Sequence, residues 1–514
     1  MSQRVVLVLA VLFLGVSVAS PSAVAQEQPQ AEHVDQQDLY DLVASGDPEA
    51  AFELAFEGGS KLFTTVFNSL DGVGVHVTDG IRFSRVPRAD LTGFDEWPNH
   101  FPQRATGPNG QMCNSCHGLP VDIAAGRSSS NVVRDPLHTA RLSAFIQRNP
   151  PHLFAAGALQ RLAEEMTDQL IGIREEAGAE ACRLGLEVRG DLVTKGVSYG
   201  AIVAIPVDPG PGCSAKYDTS EVAGIDDDLI VKPYQWKGNF AFLRDFNRDA
   251  FHQELGMQAV EFVGRGEDGD YDGVLDEMTV GDQTAVAIFL ASQPRPLSLI
   301  ELDHFGLIDP LPAEQVAAIQ SGFQQFLAVG CDVCHRPTLE LDDPVFSEPS
   351  QSALYRDAVF PGGLDPLSEL VDPEVPVTFD LTADQPDNVV ELPDGREIRL
   401  GSLRTKPDGT AIVNLFGDLK RHDMGEELAE PVDETGSGAS VWMTKELWGV
   451  GSTGPWLHDG RASTLTEAIL THGGEAAASR AEFEELTQEE QNNLIAFLEN
   501  LVLFRVAEED DAVR

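Results

Sequence analysis

The sequence predicts a mainly α-helical chain of two domains, with long loop-rich insertions and a few short strands. Three features carry that expectation. The pattern Cys-x-x-Cys-His occurs twice, at Cys113 to His117 and at Cys331 to His335. A helix runs into the second copy: Pro312 to Ala328 carries Val316, Ile319, Phe323, Phe326 and Leu327 at helical spacing, and Gly330 ends it just before Cys331. Each half also closes on a helix. Thr279 to Ser292 stops at Pro294-Arg295-Pro296, and the capping box Thr487-Gln488-Glu489-Glu490 opens a run with Leu494, Ile495, Phe497, Leu498 and Leu501 on one side.

Cys-x-x-Cys-His is the attachment pattern of c-type haem. Each cysteine can form a thioether to one porphyrin vinyl group, the two-residue spacer sets the separation of the sulfurs, and the adjacent histidine gives iron a nitrogen. A redox dithiol does not need the histidine. Zinc would need further thiolates, and Cys182 and Cys213 lack the spacing. The expectation is two cytochrome c-like helical domains holding two covalent haems. Cys113 and Cys116 carry one, with His117 as proximal ligand; Cys331 and Cys334 carry the other, with His335.

The rest of the chain bounds the architecture. Arg4, the apolar run Val5 to Val18 and Ala23-Val24-Ala25 form a secretory leader over 1–25. That run is short for a membrane span, so the expectation is a protein exported to the periplasm with no stable span. Residues 26–95 read as an extension, 96–300 as the first haem domain and 310–506 as the second. Within the second, 336–445 is a loop-rich insertion where Asp, Pro and Gly recur. Glu391 to Leu400 alternates as one hairpin, and 507–514 is an acidic tail. At 42% hydrophobic residues the chain can bury sizeable cores. Its formal net charge of −48 argues against nucleic acid. Such acidity suits a basic redox partner, or simply solubility.

Two further sites are readable locally. Cys182 and Cys213 flank a segment rich in Gly and Pro and are expected to form a disulfide, with two separate thiols as the alternative. Asp268, Asp270, Asp272 and Asp276 follow the D-x-D-x-D-G opening of a calcium loop, although position twelve is Thr279 where a glutamate is usual. A solvated acidic turn is the alternative there.

Several stretches together resemble a known family. They are Arg421-His422-Asp423-Met424-Gly425, Leu447-Trp448-Gly449-Val450-Gly451, Trp456-Leu457-His458-Asp459-Gly460-Arg461-Ala462, and the run LTEAILTHGGE from Leu465 to Glu475. With the two haem motifs these resemble the bacterial di-haem oxidoreductase family of peroxidase type. More distantly they resemble di-haem cytochrome c peroxidases and MauG enzymes. The likeness is strongest over about 310–505 and looser over about 60–300, where Arg148-Asn149-Pro150-Pro151, Leu153 to Gly157 and Gln235-Trp236-Lys237-Gly238 are the landmarks. Met443-Thr444-Lys445-Glu446 departs from the Arg-Thr-Pro-Pro of many relatives.

The resemblance implies that the C-terminal haem accepts electrons and relays them to an N-terminal haem, which reduces peroxide or oxidises another small substrate. The electrons would come from a small redox protein or a quinol-linked donor. A non-catalytic carrier with both irons six-coordinate is the alternative. The second distal ligand falls on His472, with Met424 as runner-up and His422 third. His458 would stand beside the haem, Arg461 would pair a propionate (or form a plain salt bridge), and Trp236 would lie between the haems as a relay or as packing. For the first haem, His138 follows the motif at a distance typical of a distal ligand, ahead of His152 and His100. Glu164 or Glu165 would act as acid–base by positional analogy.

Overall fold

The computed structural model describes residues 28–74, 109–127, 130–134, 136, 141–270, 272–392 and 395–505. The leader, the acidic tail, His100 and His138 lie outside the described residues. Of the described residues 37% are helical and 16% are strand, spread over several small sheets, which corrects the mainly α expectation. The helices stand where apolar residues repeat at helical spacing. Apart from the hairpin of Val389–Glu391 with Glu397–Arg399, which falls where the alternation over Glu391 to Leu400 predicts one, the strands come from segments too short, or too interrupted by Asp, Pro and Gly, for their alternation to stand out.

Helices α1 (Gln36–Ala44) and α2 (Pro48–Thr64) begin at Asp35 and Asp47, whose carboxylates accept from Gln37 N and Ala50 N. Helix α3 (Asn114–His117) is a single turn bearing the first haem motif. It is followed by the hairpin β1 (Val132–Arg134) and β2 (Ile146–Arg148), then by the long helix α4 (Ala156–Leu184). An antiparallel sheet of β3 (Val188–Thr194), β4 (Val197–Val207) and β5 (Ser214–Asp218) packs on α4. Cys182 and Cys213 are joined by a disulfide that ties the end of α4 to the loop before β5. Helix α5 (Leu243–Ala250) runs into a π-turn at Phe251–Leu255, and α6 (Val280–Ala291) is buried along its whole length. Thr279 caps α6 through a capping box with Asp282, so it does not serve the acidic turn before it.

In the C-terminal part, α7 (Ala313–Ala328) packs against α9 (Gln488–Glu499), with the short helix α8 (Leu465–Leu470) nearby. Gly322 permits the close crossing: a Cβ there would stand 1.8 Å from the Asn493 carbonyl oxygen. Phe326, Phe416, Leu494, Phe497 and Leu498 form the core behind the second motif. The insertion is packed down. Strands at Leu339–Leu341, Val345–Glu348, Val377–Asp380 and Ala411–Val413 feed the same core as α2, α4 and α6, and Phe52 meets Phe379 at 5.2 Å between ring centres.

Buried charge fixes α5 in place. Arg244 and Arg248 both reach Glu261, at 2.9 and 2.6 Å, while Arg244 also meets Glu348 at 3.0 Å and Arg248 meets Asp357 at 3.0 Å. Desolvating so many charges is tolerable only because each has a partner. The network clamps α5 to the insertion, and so holds the other face of α5 against the first of two cavities.

Candidate functional site

Each haem motif opens onto a cavity. The first, of about 150 Å³, is lined by Cys113, Cys116 and His117 from the motif and by residues of α5 and the π-turn. The second, of about 450 Å³, is lined by Cys331, Cys334, His335 and His472. Both linings are predominantly apolar side chains, as suits a flat hydrophobic ring.

The imidazoles are prepared as ligands by the backbone. His117 donates from Nδ1 to the Pro151 carbonyl at 2.8 Å, His335 to Phe416 O at 3.2 Å and His472 to Ala468 O at 2.7 Å. A carbonyl can only accept, so Nδ1 carries the proton in each ring and Nε2 keeps its lone pair. All three histidines are half-buried and line the cavities. Burial pushes His117 and His335 down to about 4 and lowers His472, so all three are neutral near pH 7.

The rings of His335 and His472 stand 6.5 Å apart between centres. Two metal–nitrogen bonds of about 2 Å each, with the ring halves behind them, span a little over about 6 Å. The residues present therefore fit a haem iron that both imidazoles would hold. Burial also drives the Cys113 and Cys331 thiols up to about 12, whereas a redox dithiol needs a lowered one. The residues fit haem attachment better than dithiol exchange.

The other ligand candidates separate on geometry. Met424 lines the second cavity. His422 lines it too, but Nε2 meets Asp418 at 2.9 Å and Nδ1 meets Glu475 at 2.8 Å, so neither nitrogen is available to iron. Burial opposes its charge, yet the bond to Asp418 outweighs it and holds His422 up to about 11. Cys334, Asp418 and His422 converge within 4.8 Å, with Cys334 Sγ 4.0 Å from His422 Nδ1. His152 lines both cavities, donates from Nε2 to Trp448 O at 2.9 Å, and leaves Nδ1 without a hydrogen-bond partner.

The two cavities share a wall. Asn149, Pro150, Pro151, His152, Trp236, Lys445 and Glu446 line both, which puts Trp236 directly between the two sites. Trp236 donates from Nε1 to Asn149 O at 2.8 Å, and its ring stands 6.5 Å from His458, which stacks on Trp442 at 3.9 Å. His458 is buried, lines the second cavity and is held neutral by desolvation.

Three other predicted site residues stand elsewhere. Glu164 is buried away from both cavities, accepting from Gln160 and Ser350 at 2.9 Å each and paired with Arg161. Glu165 meets Lys195 at 2.6 Å and accepts from Asp343 N at 2.7 Å, also off both walls. Among the described residues neither carboxylate lines either cavity. Arg461 pairs with Asp459 at 2.7 Å and lines neither cavity, whereas Arg480 lines the second.

Sequence reasoning missed Glu254. It lies on the π-turn, lines the first cavity and accepts from Asn109 Nδ2 at 2.6 Å. Burial raises it to about 7 against the opposing pull of Arg134 and Asn109, with Asp249 and Glu434 adding to the rise. A π-turn is itself a signal for function, but it is invisible in sequence. In the acidic turn, Asp268, Asp270 and Asp272 converge within 4.8 Å. Asp276 accepts from Gly266 N at 2.7 Å and is not part of that group.

Residues 407–501 match the family described as "Di-haem oxidoreductase, putative peroxidase". Among solved structures the chain is similar to a MauG-like protein associated with microbial copper homeostasis. Identity is 15% over 56% of this chain and 76% of that one, with a TM-score of 0.28. It is also similar to hydrazine synthase of Kuenenia stuttgartiensis, at 14% identity over 60% of this chain and 78% of that one, with a TM-score of 0.24. No curated protein matches. Over residues 407–501 the resemblance to the di-haem oxidoreductase family read from the motifs is borne out.

Proposed function

We propose that this chain, which matches the di-haem oxidoreductase family over residues 407–501, is an exported di-haem peroxidase in which the second site feeds electrons to the first. The single observation that carries the reading is the shared wall: two Cys- and His-lined cavities meet at Trp236.

In this proposal Cys113, Cys116 and His117 hold one haem, and Cys331, Cys334, His335 and His472 the other, both covalently. When bound, the haems supply iron that accepts electrons singly and activates peroxide. The chain's residues do the rest. His335 and His472 would both hold the second haem, which leaves electron entry as the role of that site. Electrons arrive from a small redox protein or a quinol-linked donor and cross the wall at Trp236. Glu254 stands on the first cavity with a carboxyl poised near neutrality. It can take a proton from one peroxide oxygen and return it to the other. Among the described residues no helix is long and apolar enough to cross a membrane; export to the periplasm rests on the leader.

The half-reduced protein is expected to turn over peroxide rapidly. Spectra of oxidised and half-reduced protein that peroxide and cyanide both leave unmoved would instead favour the carrier alternative. His472→Ala should abolish the low-spin paramagnetic resonance signal of the second iron, while Met424→Leu preserves it. The reverse pattern would transfer the ligand role to Met424.

We also propose calcium at Asp268, Asp270 and Asp272, supported by their convergence. Native mass spectrometry should find one calcium per chain, lost on Asp270→Asn. A calcium-free chain at millimolar calcium would leave a plain acidic turn.

A further inference from the structure

The wall between the cavities holds an ionisable residue that the relay described above does not use. Lys445 lines both cavities, and its Nζ stands 5.9 Å from the centre of the Trp236 ring. Glu446, next in the chain, lines the same two cavities. Desolvation disfavours the Lys445 charge and Glu446 opposes that loss.

The consequence follows from what happens to a tryptophan that relays an electron. One electron leaves the ring for the first site and one arrives from the second, so the ring ends unchanged. The electrons originate on the donor protein and end on peroxide. Between those two events the ring is one electron short. Trp236 donates its Nε1–H to the carbonyl of Asn149 at 2.8 Å. A backbone carbonyl is not a base at any ordinary pH, so the ring cannot shed that proton to its partner and remains a cation. Lys, ammonium to ring, attracts the neutral ring through its quadrupole but repels the oxidised one by Coulomb's law. His458, the other ring nearest Trp236, is held neutral and adds no second positive charge.

We propose that Lys445 is an electrostatic brake on the Trp236 relay, with Glu446 as its partial counterweight. Its ammonium stabilises the resting ring and penalises the oxidised one, so the pair sets how fast electrons cross between the sites. Lys445 is therefore a positioning residue that acts through Trp236. The inference rests on the relay reading and refines it.

The test is the rate of electron transfer between the two sites in the holoprotein, measured after rapid injection of one electron at the second site. Both midpoint potentials should be titrated beside it. Lys445→Met should speed the transfer about tenfold, the order expected for removing one partly compensated charge at this range. Lys445→Arg, which keeps the charge, should stay within about twofold of the parent. Glu446→Gln should slow the transfer, giving a variant of opposite sign should Lys445→Met fold poorly. Trp236→Phe should slow it by at least about tenfold, since phenylalanine is far harder to oxidise. If Trp236→Phe slows transfer but Lys445→Met and Glu446→Gln leave it unchanged, the brake is overturned and the relay stands. If Trp236→Phe has no effect, the relay itself falls and the brake with it.

Discussion

Changing Cys331 and Cys334 together to alanine should leave one porphyrin per chain in place of two, measured as mass that survives denaturation. The same change at Cys113 and Cys116 should remove the other, and the fourfold variant should emerge colourless. The expectation follows from chemistry that is local to each motif. Cys331 and Cys334 line the second cavity within a few residues of His335, and burial keeps the Cys331 thiol protonated. A thioether, once formed, does not depend on the fold to persist. Peroxide turnover should vanish in either double variant, because the reading needs both sites. Two additions retained in a double variant, or a parent chain of bare mass from a host competent in cytochrome maturation, would refute covalent attachment.

Glu254→Gln should lower peroxide turnover about 100- to 10,000-fold, the usual contribution of a positioned acid–base group. Glutamine preserves size and can still meet Asn109. It cannot take up a proton. Because the carboxylate form is needed to accept the first proton, the parent rate should rise with pH through about 7. The charges facing Glu254 are Arg134, Asp249 and Glu434, with Asn109 as hydrogen-bond partner, so this limb reports the whole group. Glu254→Gln should abolish the limb. Glu164→Gln, by contrast, should cost less than about fivefold, since Glu164 touches neither cavity. A Glu254→Gln enzyme with parental rate and pH profile would remove it from the mechanism.

What could be read from the chain alone was whatever is written in neighbouring residues. Cys113 to His117 and Cys331 to His335 announce haem because the spacing of two sulfurs and a nitrogen is a property of five consecutive residues. The helix leading to Cys331 was visible in its apolar period, and the capping box at Thr487 marks a helix start for the same reason. In the insertion the hairpin of Val389–Glu391 with Glu397–Arg399 was legible from its alternation; the other strands were not, since pairs such as Val345–Glu348 with Val377–Asp380 are joined across some thirty residues of turns.

The tertiary structure decided everything that depends on juxtaposition. His335 and His472 lie far apart in sequence and stand 6.5 Å apart in space. Packing alone brings Asn149 to His152, Trp236, Lys445 and Glu446 into one wall. It sets Glu254, and not Glu164, on the lining of the first cavity, where burial raises its affinity for a proton. The proposed haem-attachment motifs are encoded by adjacency along the chain. Electron and proton paths are encoded by distance through space, and one sequence by itself does not contain those distances.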